Sequence, residues 1–117
     1  MYLVRTLKIA EELPQRDHIA YIAYGEIILD DRCPGFFKKY EEAYSCCLNN
    51  RCDIFENGYY NYAVIIKIGE GLYRDAEETQ WFQFQRFEDN YAIATCERPY
   101  QIGLAHSPTD ILPLIIG

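Results

Sequence analysis

Five cysteines and two histidines carry the most reactive side chains of this chain. The histidines are His18 and His106, and the cysteines are Cys33, Cys46, Cys47, Cys52 and Cys96. A nucleophilic thiol needs a base such as histidine within hydrogen-bond reach, and the sequence supplies no such geometry. The cysteines also form no Cys-x-x-Cys pair of the kind used by structural zinc sites. We therefore interpret them as free thiols of a reducing compartment, with a cysteine-dependent enzyme or metal-binding protein as an alternative.

The glycine and acidic motifs that bind cofactors or metals are incomplete. Gly69-x-Gly71 lacks the third glycine and the following helix of a dinucleotide-binding loop, and no Gly-x-x-x-x-Gly-Lys sequence is present. The acidic pairs lack the spacing and the central glycine of a calcium loop. We predict no catalytic residue, no cofactor and no metal, while a calcium site assembled from distant acids stays open.

Charge is the strongest indication of partner class. The chain has 117 residues, 18 of them acidic and 11 basic, and a formal net charge of −7. Residues 1–39 contain six of each sign, so the whole excess lies in residues 40–117. This balance argues against direct binding to nucleic acid or to an anionic membrane. The acids either keep the protein in solution or form a face for a basic partner protein.

Tyrosine is the second abundant feature, with 11 residues. Tyrosines on a sheet surface, surrounded by acids, are typical of protein-binding surfaces, because aromatic side chains dominate interface energies. The candidate partner-binding face therefore combines the acidic pairs with three tyrosines that follow a predicted turn. It consists of Glu41, Glu42, Asp75, Glu77, Glu78, Glu88, Asp89, Tyr59, Tyr60 and Tyr62.

The sequence pattern predicts an α+β fold for the strands and the helix that position these residues. We expect one compact domain over residues 1–117, with a mainly antiparallel sheet of about five to six strands and one principal helix. Tyr2–Ile9 alternates and predicts a strand. Ile19–Leu29 is rich in β-branched and aromatic residues and predicts a second strand, bulged at Gly25. Asp30–Gly35 predicts a turn.

The principal helix is predicted at about residues 39–49. Glu41 and Glu42 lie in its first turn, where the helix dipole favours negative charge. Asn49-Asn50 ends it, since asparagine tolerates the left-handed conformation that follows many helices.

Two hairpins are predicted after the helix. The first joins Cys52–Phe55 to Tyr59–Ile68 through Glu56-Asn57-Gly58, and the continuous apolar run within its second strand predicts a central strand buried on both faces. The second joins Thr79–Arg86 to Tyr91–Cys96. The apolar end, Ser107–Gly117, is expected to dock on the domain because a free apolar tail favours aggregation.

Apolar stretches in this chain are interrupted every few residues and none reaches the roughly 20 residues needed to span a bilayer. The start of the chain has no basic region followed by a long apolar core, so we expect no targeting segment. Together with the free thiols, this predicts a cytoplasmic protein, in the host cell if it is phage-encoded.

Seven short segments of the chain share a recognisable pattern of structural residues: Gly35–Ala43, Asn49-Asn50, Asp53–Glu56, Tyr60–Ile65, Glu70–Tyr73, Trp81-Phe82 and Ile116-Gly117. Together they resemble a family of small uncharacterised proteins of gut Firmicutes and their phages. The family has Ser or Thr before the helix, whereas this chain has Lys39, which leaves the helix start without a side-chain cap. The resemblance implies no catalytic residue. It implies a phage context, in which small acidic proteins often inhibit host defence.

Three hypotheses for function follow. The first is a non-enzymatic, phage-type counter-defence inhibitor, similar to an anti-CRISPR protein, whose acidic, tyrosine-rich face blocks the basic nucleic-acid channel of a host nuclease or effector. The second is a small-ligand binder, or a sponge that captures a nucleotide immune signal. The third is the cysteine-dependent enzyme or metal-binding protein. The sequence leaves the oligomeric state open, a homodimer included.

Overall fold

Five apolar segments pair into one antiparallel sheet. The computed structural model describes residues 1–12, 24–71 and 76–104. Its strands are β1 (Tyr2–Ile9), β2 (Ile28–Phe37), β3 (Tyr62–Lys67), β4 (Glu77–Arg86) and β5 (Tyr91–Cys96), in the sheet order β2-β1-β3-β4-β5. The helices are α1 (Tyr24–Ile27) and α2 (Tyr40–Leu48), and Arg51–Asp53 and Tyr100–Leu104 form short 3-10 helices. This confirms the predicted α+β fold. Within these ranges no helix has the length and apolar character to cross a bilayer.

The central strands of the sheet are buried on both faces, and α2 covers one face, which we call the helix face. There, Val4, Ile65 and Phe82 pack with Ala43 and Cys47 of α2 in one apolar cluster. On the opposite face, the second cluster contains Leu7, Ile9, Ile27, Ile28, Val64, Ile66, Trp81 and Ile102. Because β3 contributes alternate residues to both clusters, the prediction of a central strand buried on both faces is confirmed.

The principal helix is also confirmed. Its C-terminal cap is Asn49, and Asn50 follows in the left-handed conformation with φ 47°. At the other end Lys39 has an extended backbone and makes no side-chain cap. The first amides of α2 therefore depend on solvent and on the charges of Glu41 and Glu42 rather than on a hydroxyl or carboxylate cap.

The predicted strand over Ile19–Leu29 is wrong for Tyr24–Ile27 and is confirmed only for Ile28 and Leu29. Tyr24–Ile27 forms one helical turn, and the strand begins only at Ile28. Consecutive residues of a strand point to opposite faces, yet Ile27 and Ile28 are both buried in the same cluster. The helical turn allows both side chains to reach that cluster. Residues 19–23 lie outside the described ranges.

The predicted turn at Asp30–Gly35 is wrong because β2 runs through it. In the register with β1, Val4 lies opposite Gly35 and Thr6 opposite Arg32, so Cys33 and Pro34 together face one residue of β1. This extra residue is a β-bulge, a position where an edge strand tolerates proline. The bulge accommodates the extra residue of this turn-like sequence, so the strand continues through it.

The first predicted hairpin is also wrong. Its first arm, Cys52–Phe55, is not a strand, and the chain passes through a compact loop before β3. Two side chains stabilise the loop, since Asn50 accepts from the Phe55 amide (3.0 Å) and Asp53 accepts from the Asn57 amide (2.9 Å). Side-chain acceptors have replaced the strand partners that the hairpin would have needed.

The second hairpin is confirmed as β4 and β5, with Trp81 opposite Cys96 and Arg86 opposite Tyr91. Trp81 lies on the opposite face, while Phe82 and Phe84 lie on the helix face. The predicted docking of Ser107–Gly117 concerns residues outside the described ranges.

A charged pair lies within the sheet. The Arg5 side chain is fully buried, and its guanidinium contacts the Asp31 carboxylate at 2.7 Å (Nη2) and 2.9 Å (Nε). A buried guanidinium requires such a partner because desolvating an unpaired charge costs several kcal/mol, of order 3–5 kcal/mol when one partner is removed.

Candidate functional site

The acidic residues of the predicted face lie at two ends of the sheet. Glu77 begins β4, whereas Glu88 and Asp89 follow its last residue. At about 3.3 Å per strand residue, the two groups are separated by roughly 30 Å along the strand. Glu41 and Glu42 lie near the Glu77 end of the sheet. Helix α2 begins beside Tyr2, since the rings of Tyr2 and Tyr40 are 5.7 Å apart. Tyr2 in turn lies near Glu77, because both residues pair with Lys67 of β3.

Glu78 has structural contacts of its own. Its Oε1 accepts a hydrogen bond from the Trp81 indole N–H at 2.7 Å and lies 3.4 Å from the Arg98 guanidinium. Only 20% of its side chain is exposed. These contacts orient the buried indole, since tryptophan N–H groups need a partner when they leave water. Asp75 lies outside the described residues.

The β4–β5 turn brings carboxylates and aromatic rings together. Phe87 and Asn90 exchange backbone hydrogen bonds (2.6 and 3.2 Å), so Glu88 and Asp89 form the tip. Both acids are exposed, and neither makes an ion pair within the described ranges. Phe87 is 57% exposed beside them. An open depression of about 470 Å³ is lined by the residues of this turn and by Asn57.

The loop before β3 continues this surface. Arg86 donates a hydrogen bond to the Asn57 carbonyl, which fixes the loop against the end of β4. The next residue, Gly58, lines a second depression of about 370 Å³ together with Tyr59 and Lys8. Consecutive residues of the loop thus line the two depressions, Asn57 the first and Gly58 the second. We call the six residues Asn57, Gly58, Tyr59, Phe87, Glu88 and Asp89 the turn-end surface.

Tyr59 is the partly exposed tyrosine of this surface. Its hydroxyl donates to the Asp30 carboxylate at 2.9 Å, and the Lys8 ammonium lies 4.2 Å from its ring centroid. The hydrogen bond to Asp30 raises the pKa of the Tyr59 phenol. The ring is therefore held in one orientation with part of its surface open to a partner.

The other two tyrosines of the predicted face belong to the interior. Tyr60 is 4% exposed in the helix-face cluster. Tyr62 is half-buried on the opposite face, where its ring packs edge-on against Trp81 and its hydroxyl accepts from Gln83. Burial raises the pKa of both phenols. Of the ten predicted residues, three lie at the same end of the sheet: Tyr59 in the loop before β3, and Glu88 and Asp89 in the β4–β5 turn.

Four of the five thiols have pKa values shifted in the direction that lowers their reactivity. Burial raises the pKa of Cys33, Cys46, Cys47 and Cys96 above the usual range. An activated thiolate needs the opposite shift. No group of three His, Cys, Asp or Glu residues in the described part of the chain could hold a metal ion. His18 and His106 lie outside it.

Sequence reasoning missed Lys8, Asp30, Asn57 and Phe87. Lys8 and Asp30 are distant in the chain and meet only because the β1–β2 register places them opposite each other. No sequence signal gives that register. Phe87 could have been found, because an aromatic residue immediately before an acidic hairpin turn has little access to a core.

Comparison with known proteins gives no relative from which a role could be transferred, since no family model, no curated protein and no solved structure matches the chain.

Proposed function

We propose that this protein is a non-enzymatic binding protein whose turn-end surface engages a basic surface of a partner protein. In the narrower form of the proposal, the partner is a host nuclease or effector and the protein is a counter-defence inhibitor that blocks a basic nucleic-acid channel. The observation that carries the proposal is the presence, at one end of the sheet, of two exposed aromatic rings and of two exposed carboxylates that make no ion pair with any residue the structure describes.

The composition of the turn-end surface favours a protein partner. Glu88 and Asp89 can receive lysine or arginine side chains without first breaking an ion pair to any residue of the described part of the chain. Phe87 and Tyr59 supply the aromatic contact area that contributes most binding energy at interfaces. Because Tyr59 is already fixed by Asp30 and Lys8, less side-chain entropy is lost when a partner packs on it.

The net charge of −7 supports the same partner class. A negatively charged protein is attracted to a basic surface over several ångströms, which raises the rate of encounter and makes binding depend on salt. A nucleic-acid channel is lined by basic residues that contact phosphates, so an acidic tip competes for the same groups.

The experiment uses a purified RNA-guided nuclease of the host, with DNA cleavage and direct binding as readouts. We expect inhibition of cleavage and an affinity that falls steeply as salt rises. The double variant Glu88→Gln/Asp89→Asn should weaken binding about tenfold, which corresponds to about 1.4 kcal/mol shared by two charge contacts.

The matched control is Glu41→Gln/Glu42→Gln, which changes the net charge equally at the other end of the sheet. It should retain nearly all of the affinity. Equal losses in the two double variants would mean that only the overall charge matters and would refute the turn-end surface. Absence of both binding and inhibition would refute the narrower proposal.

A further inference from the structure

Strand β5 forms one edge of the sheet. Within the described ranges it pairs with β4 alone, over all six of its residues, Tyr91–Cys96. The backbone N–H and C=O groups on its outer side therefore have no strand partner in that part of the chain. Such a row of groups is a template for another strand.

Strand β2, at the other edge of the sheet, has features that prevent pairing with a further strand. Strand β2 contains Asp30, Asp31 and Arg32, and its bulge contains Pro34. Charge, proline and bulges are the devices by which proteins prevent pairing at an edge. Strand β5 contains no charged residue and no proline, and its pairing with β4 has no register shift. The two edges differ in the way expected if β5 has a strand partner.

We propose that β5 pairs antiparallel with β5 of a second copy of this chain, about a twofold axis at Ile93. The two five-stranded sheets then form one continuous sheet. A twofold axis at Ile93 places each residue of one β5 strand opposite the residue of the other β5 strand that is equally far from Ile93 in the opposite direction along the sequence. The sequence Ala92-Ile93-Ala94 is symmetric about Ile93, so alanine lies opposite alanine and isoleucine opposite isoleucine.

The next pair supports this register. Tyr91 is 61% exposed and stacks on Phe84 with ring centroids 5.3 Å apart and an interplanar angle of 18°. In the proposed pairing it lies opposite Thr95 of the second copy, which is also exposed. Aromatic and β-branched residues form favourable cross-strand pairs, and no like charges meet within the six residues. The pairing therefore covers an exposed ring as well as an open edge.

The interface is small. Two edge strands of six residues, with few side chains beyond them, fall at or below the low end of specific interfaces, about 1,200 Å² in total. We expect a dimer that forms reversibly with rising concentration. Each copy carries a charge of −7, so repulsion opposes association and added salt should tighten the dimer. This salt dependence is opposite to that expected for a basic partner on the turn-end surface.

The test is sedimentation equilibrium of the full chain over a range of concentrations at low and high salt. Ala92→Lys places a charge on the exposed edge and should weaken the dimer tenfold or more. The matched control, Leu29→Lys, makes the same charge change at an exposed position of the other edge strand and should leave the dimer unchanged. Both substitutions reduce the net negative charge of the chain. If charge repulsion were the only effect, both variants would therefore dimerise more tightly than the unchanged protein.

Amide hydrogen exchange provides a second measurement that needs no variant. Outward-facing amides within Tyr91–Cys96 should become more protected as the protein concentration rises, while those of β2 should not change. A monomer at every concentration would overturn the proposal and would mean that another segment or a different protein covers the edge. A dimer that is insensitive to Ala92→Lys, or is lost with Leu29→Lys, would also overturn it.

Discussion

Gly58 packs the loop before β3 against Phe84 and Arg86 of β4, and its replacement by alanine tests the local geometry directly. Gly58 has a backbone φ of +87°, which residues that carry a Cβ rarely adopt. A Cβ built there would lie 2.7 Å from Cε1 of Phe84 and 3.1 Å from the Arg86 guanidinium. The arginine is the flexible end of an exposed side chain and can move. The phenylalanine cannot move easily, because its ring lies between Phe55 and Tyr91.

The expected loss of stability has two parts. The left-handed backbone costs an L-residue about 1 kcal/mol relative to glycine. Forcing a methyl group against a packed ring costs about 1–3 kcal/mol. We therefore expect Gly58→Ala to lower the free energy of unfolding by about 2–4 kcal/mol. The control is Gly69→Ala, whose added Cβ meets nothing within 4 Å and needs no left-handed backbone, and whose effect should stay within about 0.5 kcal/mol.

The assay is urea unfolding followed by the fluorescence of Trp81, the single tryptophan, which is 4% exposed. With a slope of about 2 kcal/mol per molar urea, a loss of 3 kcal/mol moves the midpoint by about 1.5 M. Phe84→Leu should relieve part of the clash, so the double variant should be more stable than additivity predicts, by about 1 kcal/mol or more. Equal midpoints for Gly58→Ala and Gly69→Ala, or strict additivity with Phe84→Leu, would refute the reasoning.

Two further predictions concern charged and titrating groups. Asp31→Asn should destabilise the fold by about 2 kcal/mol, because the buried Arg5 guanidinium loses a charged acceptor while water reaches the partly exposed position 31. Urea unfolding checks this against Glu97→Gln, a substitution at an exposed position. The Tyr59 phenol should titrate above the usual pKa near 10 in ultraviolet absorbance, and Asp30→Asn should return it toward that value. Since the folded-state pKa is raised, the contribution of Tyr59 to stability is present below the unfolded pKa and is lost as pH rises through the folded pKa. A Tyr59 titration unchanged by Asp30→Asn would contradict this assignment.

Local patterns predicted the elements whose stability is local. The helix over Tyr40–Leu48 and the hairpin of β4 and β5 depend on periodicity and a short turn, and both were predicted from those features. The apolar run Ala63–Ile66 predicted a central strand because no other position buries both faces of a strand.

The failures occurred where tertiary contacts override local sequence preference. Asp30–Gly35 has the composition of a turn, but pairing with β1 keeps it extended, and a bulge opposite Arg5 absorbs the proline. Asn57-Gly58 has the composition of a hairpin turn, but Asn50 and Asp53 accept the amides that a strand would have used. The turn-end surface was predicted only in part for the same reason, since Lys8 and Asp30 reach Tyr59 through the sheet register.

The β4–β5 hairpin contributes residues to both proposed surfaces, and its geometry determines how they combine. The β4–β5 turn immediately precedes β5, so antiparallel pairing about Ile93 sends the turns of the two copies in opposite directions. With about five residues from the axis to each tip, the tips are separated by roughly 30 Å along the joint sheet. A dimer would therefore present two turn-end surfaces that face apart, and avidity would arise only with a partner whose basic patches have matching spacing. A partner with one basic patch would bind the Ala92→Lys monomer and the dimer with equal affinity per site.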